Sequence, residues 1–374
     1  MFVALRDLKH ARGRFVLMSV VIVLITFLVT FLASLTAGLA RESTSAVTDL
    51  PADHVAFSMP AAGDSPEFTA SRVTREQWEG WAGEPGVAFA EPLGVATTRA
   101  ESGSTTAAVT ALGVAPGTDL VPGGAGDTGA DTAADVEPGT LVLTPGAADA
   151  LDVGAGDTVT LGGQRLTVAR TVDVDQSFSH TPVVWTTLED WQAVGARGPE
   201  ATTDGPVATV VALTTTGTGD AGLAAADDAL GTTTVTTSDA RSAVSSFVGE
   251  NTSLTTMQAF LLVISALVVG AFFTVWTISR TGDVAVLKAL GASTGYLLRD
   301  ALGQAAVLLV GGVGIGTALT AAGAALLPDA VPVVLTTATT LVPAGGLILL
   351  GLVGAGVAVA RVARVDPHAA LAAR

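Results

Sequence analysis

The sequence predicts an α-helical membrane protein with four transmembrane helices and an α+β extracytoplasmic domain inserted between the first two helices. Hydrophobic residues make up 49% of the 374 residues and charged residues only 14%, whereas soluble proteins carry about a quarter charged residues. Four stretches contain no Asp, Glu, Lys or Arg and reach the length of about 20 residues that crosses a bilayer as a helix. A long polar segment separates the first stretch from the second.

The four apolar stretches are residues 15–39, 254–278, 301–327 and 341–360. Basic residues precede the first stretch, as they do in a secretory signal peptide. Its apolar core is nevertheless much longer than the roughly 7 to 15 residues of a signal peptide. We therefore interpret the first stretch as an uncleaved membrane anchor.

Charge predicts the orientation in the membrane. The N-terminal arm, residues 279–300 and the tail after residue 360 together hold ten Lys or Arg and four Asp or Glu, whereas residues 41–253 hold eight Arg and 29 Asp or Glu. Short positive flanks stay in the cytoplasm, and long domains translocate regardless of charge. Both termini are therefore expected inside and the acidic domain outside the plasma membrane, and nucleic-acid binding is not favoured.

This orientation divides the chain into three predicted regions. Residues 1–40 form a cytoplasmic arm and the first transmembrane helix, and residues 41–253 form the extracytoplasmic domain. Residues 254–374 form transmembrane helices two to four, with a cytoplasmic loop at 279–300 and a C-terminal tail.

The external domain shows local patterns of both strands and helices. Residues 158–168 alternate apolar and polar side chains around Gly162-Gly163, which is typical of a β-hairpin. Further strands are expected at 181–187 and 207–214, and short helices at 72–81, 146–151 and 188–194. Residues 123–135 combine small and acidic side chains without periodicity, which predicts a loop.

Several classes of chemistry are excluded by residue content. The chain has no cysteine, and Lys9 and Lys288, its two lysines, lie outside any GxxxxGK[ST] phosphate-binding loop. No HExxH motif occurs, and GASTG at 291–295 has GxSxG spacing but follows a helical pattern instead of the strand that a nucleophile elbow requires, so we do not expect an enzyme. No ionisable side chain lies within the four stretches, although ion-coupled transporters normally carry intramembrane charges. Energy for any work is therefore expected from another subunit.

Two further patterns have a functional and a purely structural interpretation. In the first stretch, Phe27 and Phe31 form a bulky face beside a face of small residues, which fits helix packing or a lateral opening for a flat apolar ligand. Residues 279–300, SRTGDVAVLKALGASTGYLLRD, contain Val284, Leu287 and Leu290 at helical spacing. Such a helix either lies on the membrane surface or docks in a groove of a partner, and Gly291 can end it.

The VLKALGAS element at 286–293 resembles the coupling loop of the FtsX/MacB-like ABC transporter permeases. The tail RVARVDPHAALAAR and the order of one span, a large external domain and three spans resemble the same family. The resemblance implies a type VII ABC permease: a homodimer in the lipid membrane, bound to two copies of a separate ATPase. It also implies that Val284, Leu287, Lys288, Leu290 and Gly291 contact that ATPase, and that substrate moves by a mechanical stroke.

Within the family, residues 4–40 and the segment SFSHTPVVWTTLEDWQ at 177–192 resemble the subgroup that exports heme. The resemblance implies heme as a transported substrate, ATP through the partner subunit, and no permanently bound cofactor. A heme site needs apolar walls and an axial ligand such as His, Met, Tyr or Cys. Glu250 and Met257 lie seven residues apart, on one face of a continuous helix and about 10 Å apart along its axis.

We therefore expect a heme site at the dimer interface, with Glu250 and Met257 as iron ligands. Structural readings stay open for each: Met257 faces lipid or packs, and Glu250 is a solvated or helix-capping acid. The other candidates are the aromatic walls, the possible propionate partners and the weaker ligands: Phe27, Phe31, Arg41, Arg241, His54, Met59 and His180.

Three alternatives to heme export remain at this stage. The same architecture can carry another amphipathic cargo, such as a macrolide, a peptide or a lipid. It can also act without transport, as a mechanotransmission protein that activates a cell-wall hydrolase. A passive sensory membrane protein is the third alternative, but it leaves the VLKALGAS loop without a role.

Overall fold

The structure is a computed structural model that describes residues 12–123, 136–194, 207–279, 282, 291, 293–328 and 331–363. It consists of two compact units. We call Met1–Gly38 with Asn251–Arg374 the membrane unit, and Leu39–Glu250 the external unit.

In the described part of the chain the helices are, in order, α1 Arg12–Thr48, α2 Arg75–Gly83, α3 Pro145–Leu151, α4 Leu188–Ala193, α5 Asp220–Leu230, α6 Thr237–Ala240, α7 Ser245–Ser279, α8 Thr294–Ala324 and α9 Thr337–Ala363. The strands are β1 His54–Ser58, β2 Val73–Thr74, β3 Val87–Ser102, β4 Thr105–Val114, β5 Thr140–Leu143, β6 Thr158–Leu161, β7 Gln164–Thr171, β8 Ser177–Phe178, β9 Thr181–Thr187, β10 Val207–Ala208, β11 Val210–Thr215 and β12 Thr232–Thr236.

Four helices in the described residues are long and apolar enough to cross a membrane: α1, α7, α8 and α9. The four predicted spans are therefore confirmed as helices. All four helices extend beyond the predicted spans at one end or both. The largest extensions are those of α1, which continues to Thr48, and of α7, which already begins at Ser245. Hydropathy misses these extra turns because they carry Ser, Thr and Glu beside the apolar residues that the external unit buries.

Small residues determine how α1 packs in the membrane unit. Thr26 and Thr30 are buried, and the hydroxyl of Thr30 lies 2.6 Å from that of Thr320 on α8. A Cβ on Gly316 of α8 would come within 2.6 Å of the Thr26 Cβ. A Cβ on Gly38 would overlap the carbonyl oxygen of Pro332. The small face predicted for the first span is thus a close helix contact, as is common inside membranes.

The external unit combines an open sheet with a closed barrel, and the two share β3. Strands β12, β1, β11 and the first part of β3 form an antiparallel sheet. The second part of β3 continues through β4, β9, β5, β7 and β6, and β6 pairs back with β3 at Ala100 and Glu101. In the described residues, β4–β9 and β5–β7 are parallel pairs within this barrel.

A tryptophan fixes the position of α4 on the barrel. Trp191 is fully buried, and its ring lies over Gly94 of β3 and Gly113 of β4. A Cβ at either glycine would come within 2.5 Å of Trp191 side-chain atoms. The sheet therefore admits the indole because both positions lack a side chain. Burial of an aromatic side chain of this size is a large hydrophobic contribution to the stability of the unit.

The core beneath the open sheet includes the outer ends of α1 and α7. Ala46 and Val47 of α1, and Phe247 of α7, belong to one buried cluster with the central residues of the sheet. Phe57, Phe68 and Phe178 meet edge to face in this cluster, with ring centroids 4.9 and 5.3 Å apart. The outer turns of both helices are thus built into the core of the external unit.

Most predicted elements of the external domain are confirmed. The hairpin around Gly162-Gly163 is β6–β7, the strand at 181–187 is β9, and the segment 207–214 forms β10 and β11. The helix predicted to start at residue 72 was wrong at its start, because Val73 and Thr74 pair with β10 and the helix begins at Arg75. The predicted loop at 123–135 lies outside the described residues, apart from Gly123.

Candidate functional site

The last turns of α1 present polar residues inside the external unit. Glu42 is half-buried and Ser43 is buried, although both follow directly on an apolar span. The helix continues here because Ala46 and Val47 are anchored in the core. The hydroxyl of Ser45 accepts a hydrogen bond from the backbone N–H of Ser177 at 2.9 Å. The end of α1 therefore meets the segment that leads into β9.

A tight hairpin turn follows from Ser177. Strands β8 and β9 pair through Phe178 and Thr181, which leaves Ser179 and His180 as a two-residue loop. Both loop residues have positive φ, 49° and 62°, as a type I′ hairpin loop requires. For residues other than glycine this conformation costs about 1 to 3 kcal/mol each. The surrounding contacts must offset that cost.

Two backbone hydrogen bonds attach this turn to α1. The N–H of Ser179 donates to the carbonyl of Ser43 at 3.0 Å, and the N–H of His180 donates to the carbonyl of Glu42 at 3.2 Å. The Ser246 hydroxyl at the start of α7 donates to the Ser179 hydroxyl at 3.1 Å. The turn is therefore held by both helices, and its imidazole has a defined position.

The imidazole of His180 lies among three polar side chains, those of Glu42, Ser43 and Glu250. We call these four residues the His180 cluster. Nε2 lies 2.9 Å from each carboxylate oxygen of Glu250 and 2.8 Å from the Ser43 hydroxyl. Nδ1 lies 3.5 Å from the Glu42 carboxylate. Because an ionised carboxylate only accepts hydrogen bonds, Nε2 carries the hydrogen that points at Glu250. Glu250 is thus joined to α1 through His180.

The cluster is partly open to solvent. The side chain of His180 is 29% exposed and that of Glu250 is 42% exposed. Within the described ranges, no group of three or more His, Asp or Glu side chains is arranged to hold a metal ion. The arrangement presents one oriented carboxylate, that of Glu250, with free lone pairs. This carboxylate can bind a cation, or an iron whose other ligands come from a bound molecule.

The predicted arginines lie in the external unit but bind other partners. Arg41 forms an exposed ion pair with Asp49 at 2.9 Å. The guanidinium of Arg241 lies 5.7 Å from the ring centroid of Phe247. Neither side chain is in the His180 cluster. An exposed ion pair contributes little to stability, so Arg41 can exchange Asp49 for another anion at low cost.

Two weak ligand candidates of the external unit, His54 and Met59, lie in a different segment of the chain from the His180 cluster, on β1 and directly after it. His54 lies on β1, with its Nδ1 buried and without a hydrogen-bond partner. Met59 is 52% exposed, in the loop after β1. A cavity of about 590 Å³ lies along this loop and is lined by residues 58–71. None of these observations joins the two residues to the carboxylate.

Three predicted residues belong to the membrane unit. Met257 on α7 is 55% exposed. Phe27 and Phe31 on α1 are half-buried and stacked, with ring centroids 5.7 Å apart and an interplanar angle of 20°. Phe27 also faces Gly323 of α8. The aromatic pair therefore takes part in helix packing, while Met257 is exposed.

The predicted coupling element is described only at its end. Val284, Leu287, Lys288 and Leu290 lie outside the described residues. Gly291 is an exposed turn residue with φ of 96°, a conformation that suits glycine at the end of a helix. The next helix starts directly afterwards, where the Ser293 hydroxyl accepts a hydrogen bond from the Tyr296 N–H at 3.2 Å.

Glu42 and Ser43, which lie beside the His180 imidazole, are absent from the residues predicted from sequence, and His180 is predicted there only as a weak ligand. Glu42 and Ser43 could have been found only by extending the first helix past residue 39, where the apolar stretch ends. His180 was detectable only in part: histidine is enriched at positive φ, yet nothing in SFSHTP locates the imidazole beside a glutamate 70 residues later. That proximity arises because the turn between β8 and β9 forms hydrogen bonds with the end of α1 and with the start of α7.

Two family models match the chain. Residues 15–230, more than half of the chain, match the MacB-like periplasmic core domain. Residues 256–367 match the FtsX-like permease C-terminal region. The first model covers α1 and most of the external unit, and the second covers the helices that follow.

Named relatives match in part or throughout. A protein of Staphylococcus epidermidis with the provisional name hemin transport system permease protein HrtB is 30% identical over 141 residues, 38% of this chain and 40% of the relative. A Staphylococcus haemolyticus protein of the same name is 31% identical over 128 residues, 34% of this chain and 36% of that protein. The chain thus spans about 40% of the length of the hemin relatives it matches.

Another relative matches over nearly the whole length. An uncharacterized ABC transporter permease of Mycobacterium tuberculosis is 26% identical over 377 residues, 98% of each chain. Among solved structures, the extracellular domain of the noncanonic ABC-type transporter YknZ from Gram-positive bacteria is similar with a TM-score of 0.35 and 18% identity, over 49% of this chain and 97% of that chain.

The two family-model matches fit the architecture of the molecule. Four apolar helices and a periplasmic-type α+β region make the chain a multi-pass membrane protein with an extracytoplasmic segment. The order of a MacB-like core domain followed by an FtsX-like C-terminal region is the order of α1, the external unit and the last three membrane helices. The chain belongs to the family of FtsX/MacB-like permeases.

Proposed function

We propose that this chain is the membrane subunit of an ATP-driven ABC exporter and that its cargo is heme, removed from the membrane to relieve heme toxicity. Membership of the permease family supports the first part of the proposal. The hemin transport relatives support the second part through their names and their identity of about 30% over a third of the chain.

A separate ATPase is proposed as the source of energy. The sequence has no phosphate-binding loop, and its predicted spans carry no ionisable side chain for ion coupling. The proposed assembly is a homodimer of this chain with two ATPase copies. The ATPase acts on the cytoplasmic loop through Val284, Leu287, Lys288, Leu290 and Gly291. ATP hydrolysis then moves the cargo by a mechanical stroke.

The observation that carries the choice of heme is the Glu250 carboxylate. It is oriented by His180 and is 42% exposed, and α7 carries Met257 two turns further on. An iron porphyrin presents a metal that accepts oxygen or thioether ligands and an apolar rim. Glu250 and Met257 are the proposed iron ligands, and a weakly held carboxylate suits a cargo that must be released.

Additional contacts to heme are proposed from the remaining predicted residues. Phe27 and Phe31 supply an aromatic surface that can contact a flat ring. Arg41 and Arg241 are cations of the external unit that can pair with propionates by charge-assisted hydrogen bonds. To do so, each arginine must give up its present contact, which is the Asp49 carboxylate for Arg41 and the Phe247 ring for Arg241.

Deletion of the gene tests this function in the cell. We expect the deletion strain to stop growing at a lower hemin concentration than its parent, and the wild-type gene to restore tolerance. The Glu250→Ala gene should not restore it, whereas Glu101→Ala, which changes an exposed glutamate of β3, should. Unchanged hemin tolerance with chained or unseptated cells would contradict export and favour mechanotransmission. Sensitivity to a macrolide or a peptide alone would identify another cargo.

A further inference from the structure

We infer that His180 is a positioning residue for the cargo: it orients the Glu250 carboxylate so that the oxygens receive the iron of a metalloporphyrin. The inference rests on the proposed function, because it assigns a role at the same ligand. It adds His180 to the proposed heme site, where the sequence suggests this residue only as a weak iron ligand.

The hydrogen-bond geometry supports positioning. One N–H of His180 lies 2.9 Å from both oxygens of Glu250. A carboxylate offers about four lone-pair sites, so a single donor between the oxygens leaves the outer lone pairs free. The glutamate side chain is 42% exposed. Without this donor, the long side chain on the surface of α7 would sample several rotamers.

The same geometry disfavours His180 as the iron ligand. Its Nε2 carries a hydrogen and is engaged by Glu250 and by the Ser43 hydroxyl at 2.8 Å. Its Nδ1 faces the Glu42 carboxylate at 3.5 Å. Both ring nitrogens are thus directed at side chains of the cluster, so ligation through His180 would require those contacts to be broken.

The turn that carries the ring is held in place by backbone contacts that do not depend on Glu250. The positive-φ turn at 179–180 donates two N–H groups to carbonyls of Glu42 and Ser43 on α1. Glu250 itself projects from α7. His180 therefore connects an anchor on α1 with a ligand on α7. Groups that orient a metal ligand in this way typically change metal affinity about 10- to 100-fold when they are removed.

The test compares hemin with iron-free protoporphyrin IX on the full chain in detergent. Protoporphyrin IX has the same ring and propionates but no metal, so its binding does not need an oriented ligand. We expect His180→Ala to weaken hemin binding about 10- to 100-fold and to leave protoporphyrin IX binding within about twofold. Glu250→Gln should show the same pattern, because the amide is a poor iron ligand.

Two conservative variants add a rescue test. Glutamine can place its amide N–H near the position of Nε2, whereas the shorter asparagine places its N–H near Nδ1. His180→Gln should therefore recover most of the hemin affinity and keep the wild-type Soret band, and His180→Asn should not. Glu101→Ala, which removes an exposed side chain of the external unit, serves as the control and should bind both porphyrins normally.

The outcomes separate the two proposals. If Glu250→Gln weakens hemin binding but His180→Ala does not, positioning by His180 is wrong and the heme site at Glu250 stands. If Glu250→Gln leaves hemin binding unchanged, Glu250 is not an iron ligand, and the positioning role of His180 is then also wrong. An equal loss of hemin and protoporphyrin IX in His180→Ala would show a merely structural histidine. A Soret band that changes in His180→Gln but not in Glu250→Gln would make His180 itself the ligand.

Discussion

The Nε2 atom of His180 lies 2.9 Å from both carboxylate oxygens of Glu250, although 70 residues separate the two in the sequence. This contact joins the hairpin turn before β9 to the start of α7. Glu42 and Ser43 bring the end of α1 to the same imidazole. The external unit thus ties the outer turns of two membrane-type helices to one polar cluster.

A disulfide should form across the neighbouring serine pair. The hydroxyls of Ser179 and Ser246 lie 3.1 Å apart, close enough for small rotations of two cysteine side chains to bring the sulfur atoms to the bonding distance of about 2.05 Å. The chain has no cysteine of its own, so Ser179→Cys with Ser246→Cys gives a single pair. We expect full oxidation in air and a gain of up to about 4 kcal/mol in unfolding free energy of the external unit.

Maleimide labelling and thermal unfolding check this prediction. Each single cysteine variant should label with one maleimide and melt as the wild type does. The oxidised double variant should not label and should melt at a higher temperature than its reduced form. Two reactive thiols that persist after treatment with an oxidant would contradict the position of the turn against α7.

Gly38→Ala should destabilise the membrane unit. A Cβ at this position would overlap the backbone carbonyl of Pro332, and backbone yields less readily than a side chain. Gly314→Ala on α8 is the matched control, because a Cβ there meets no atom within 4 Å. Alanine normally stabilises a helix interior by about 0.5 to 1 kcal/mol relative to glycine. Thermal melting in detergent should therefore fall for Gly38→Ala and stay equal or rise for Gly314→Ala; equal melting of both variants would refute the contact.

Glu91 should make the stability of the external unit depend on pH. Burial raises the pKa of its carboxyl above the ordinary value of 4.5, against the hydrogen bond from Thr118 and together with the charge of Asp119. Stability from a group with a raised pKa is fully present below the unfolded value and is lost as pH rises through the folded value. Glu91→Gln should therefore melt higher than the wild type at pH 7, with a difference that shrinks towards pH 4.

Glu101→Gln, at an exposed position of the same strand, provides the comparison for this pH series. Its melting curve should follow the wild type across the range. A constant difference between Glu91→Gln and wild type from pH 4 to pH 7 would show that packing, not ionisation, separates them.

The membrane architecture was predictable from sequence because the bilayer imposes a simple rule. Apolar stretches of helical length and the distribution of Lys and Arg suffice to place four spans. The pairing of β6 with β7 was predictable because it depends on residues close together in the sequence, namely the Gly162-Gly163 turn and the alternation of apolar and polar side chains on both sides of it.

The closed barrel and the His180 cluster were not predictable because both depend on contacts distant in sequence. Strand β6 returns to β3 through Ala100 and Leu161, about 60 residues apart. Glu250 was predicted as a site residue from its place just before the second span, but its contact with His180 was not predicted. Only the folded sheet places His180 beside Glu250. The outer turns of α1, which carry Glu42, are too polar for hydropathy to predict them as part of the first helix.

If heme binds at Glu250 and Met257 as proposed, a hemin titration of the purified full chain will show a saturable shift of the Soret band. We expect saturation near one heme per two chains, and Glu250→Ala combined with Met257→Ala should abolish the shift. An unsaturable rise in absorbance for the wild type, or an unchanged titration of the double variant, would contradict this proposal.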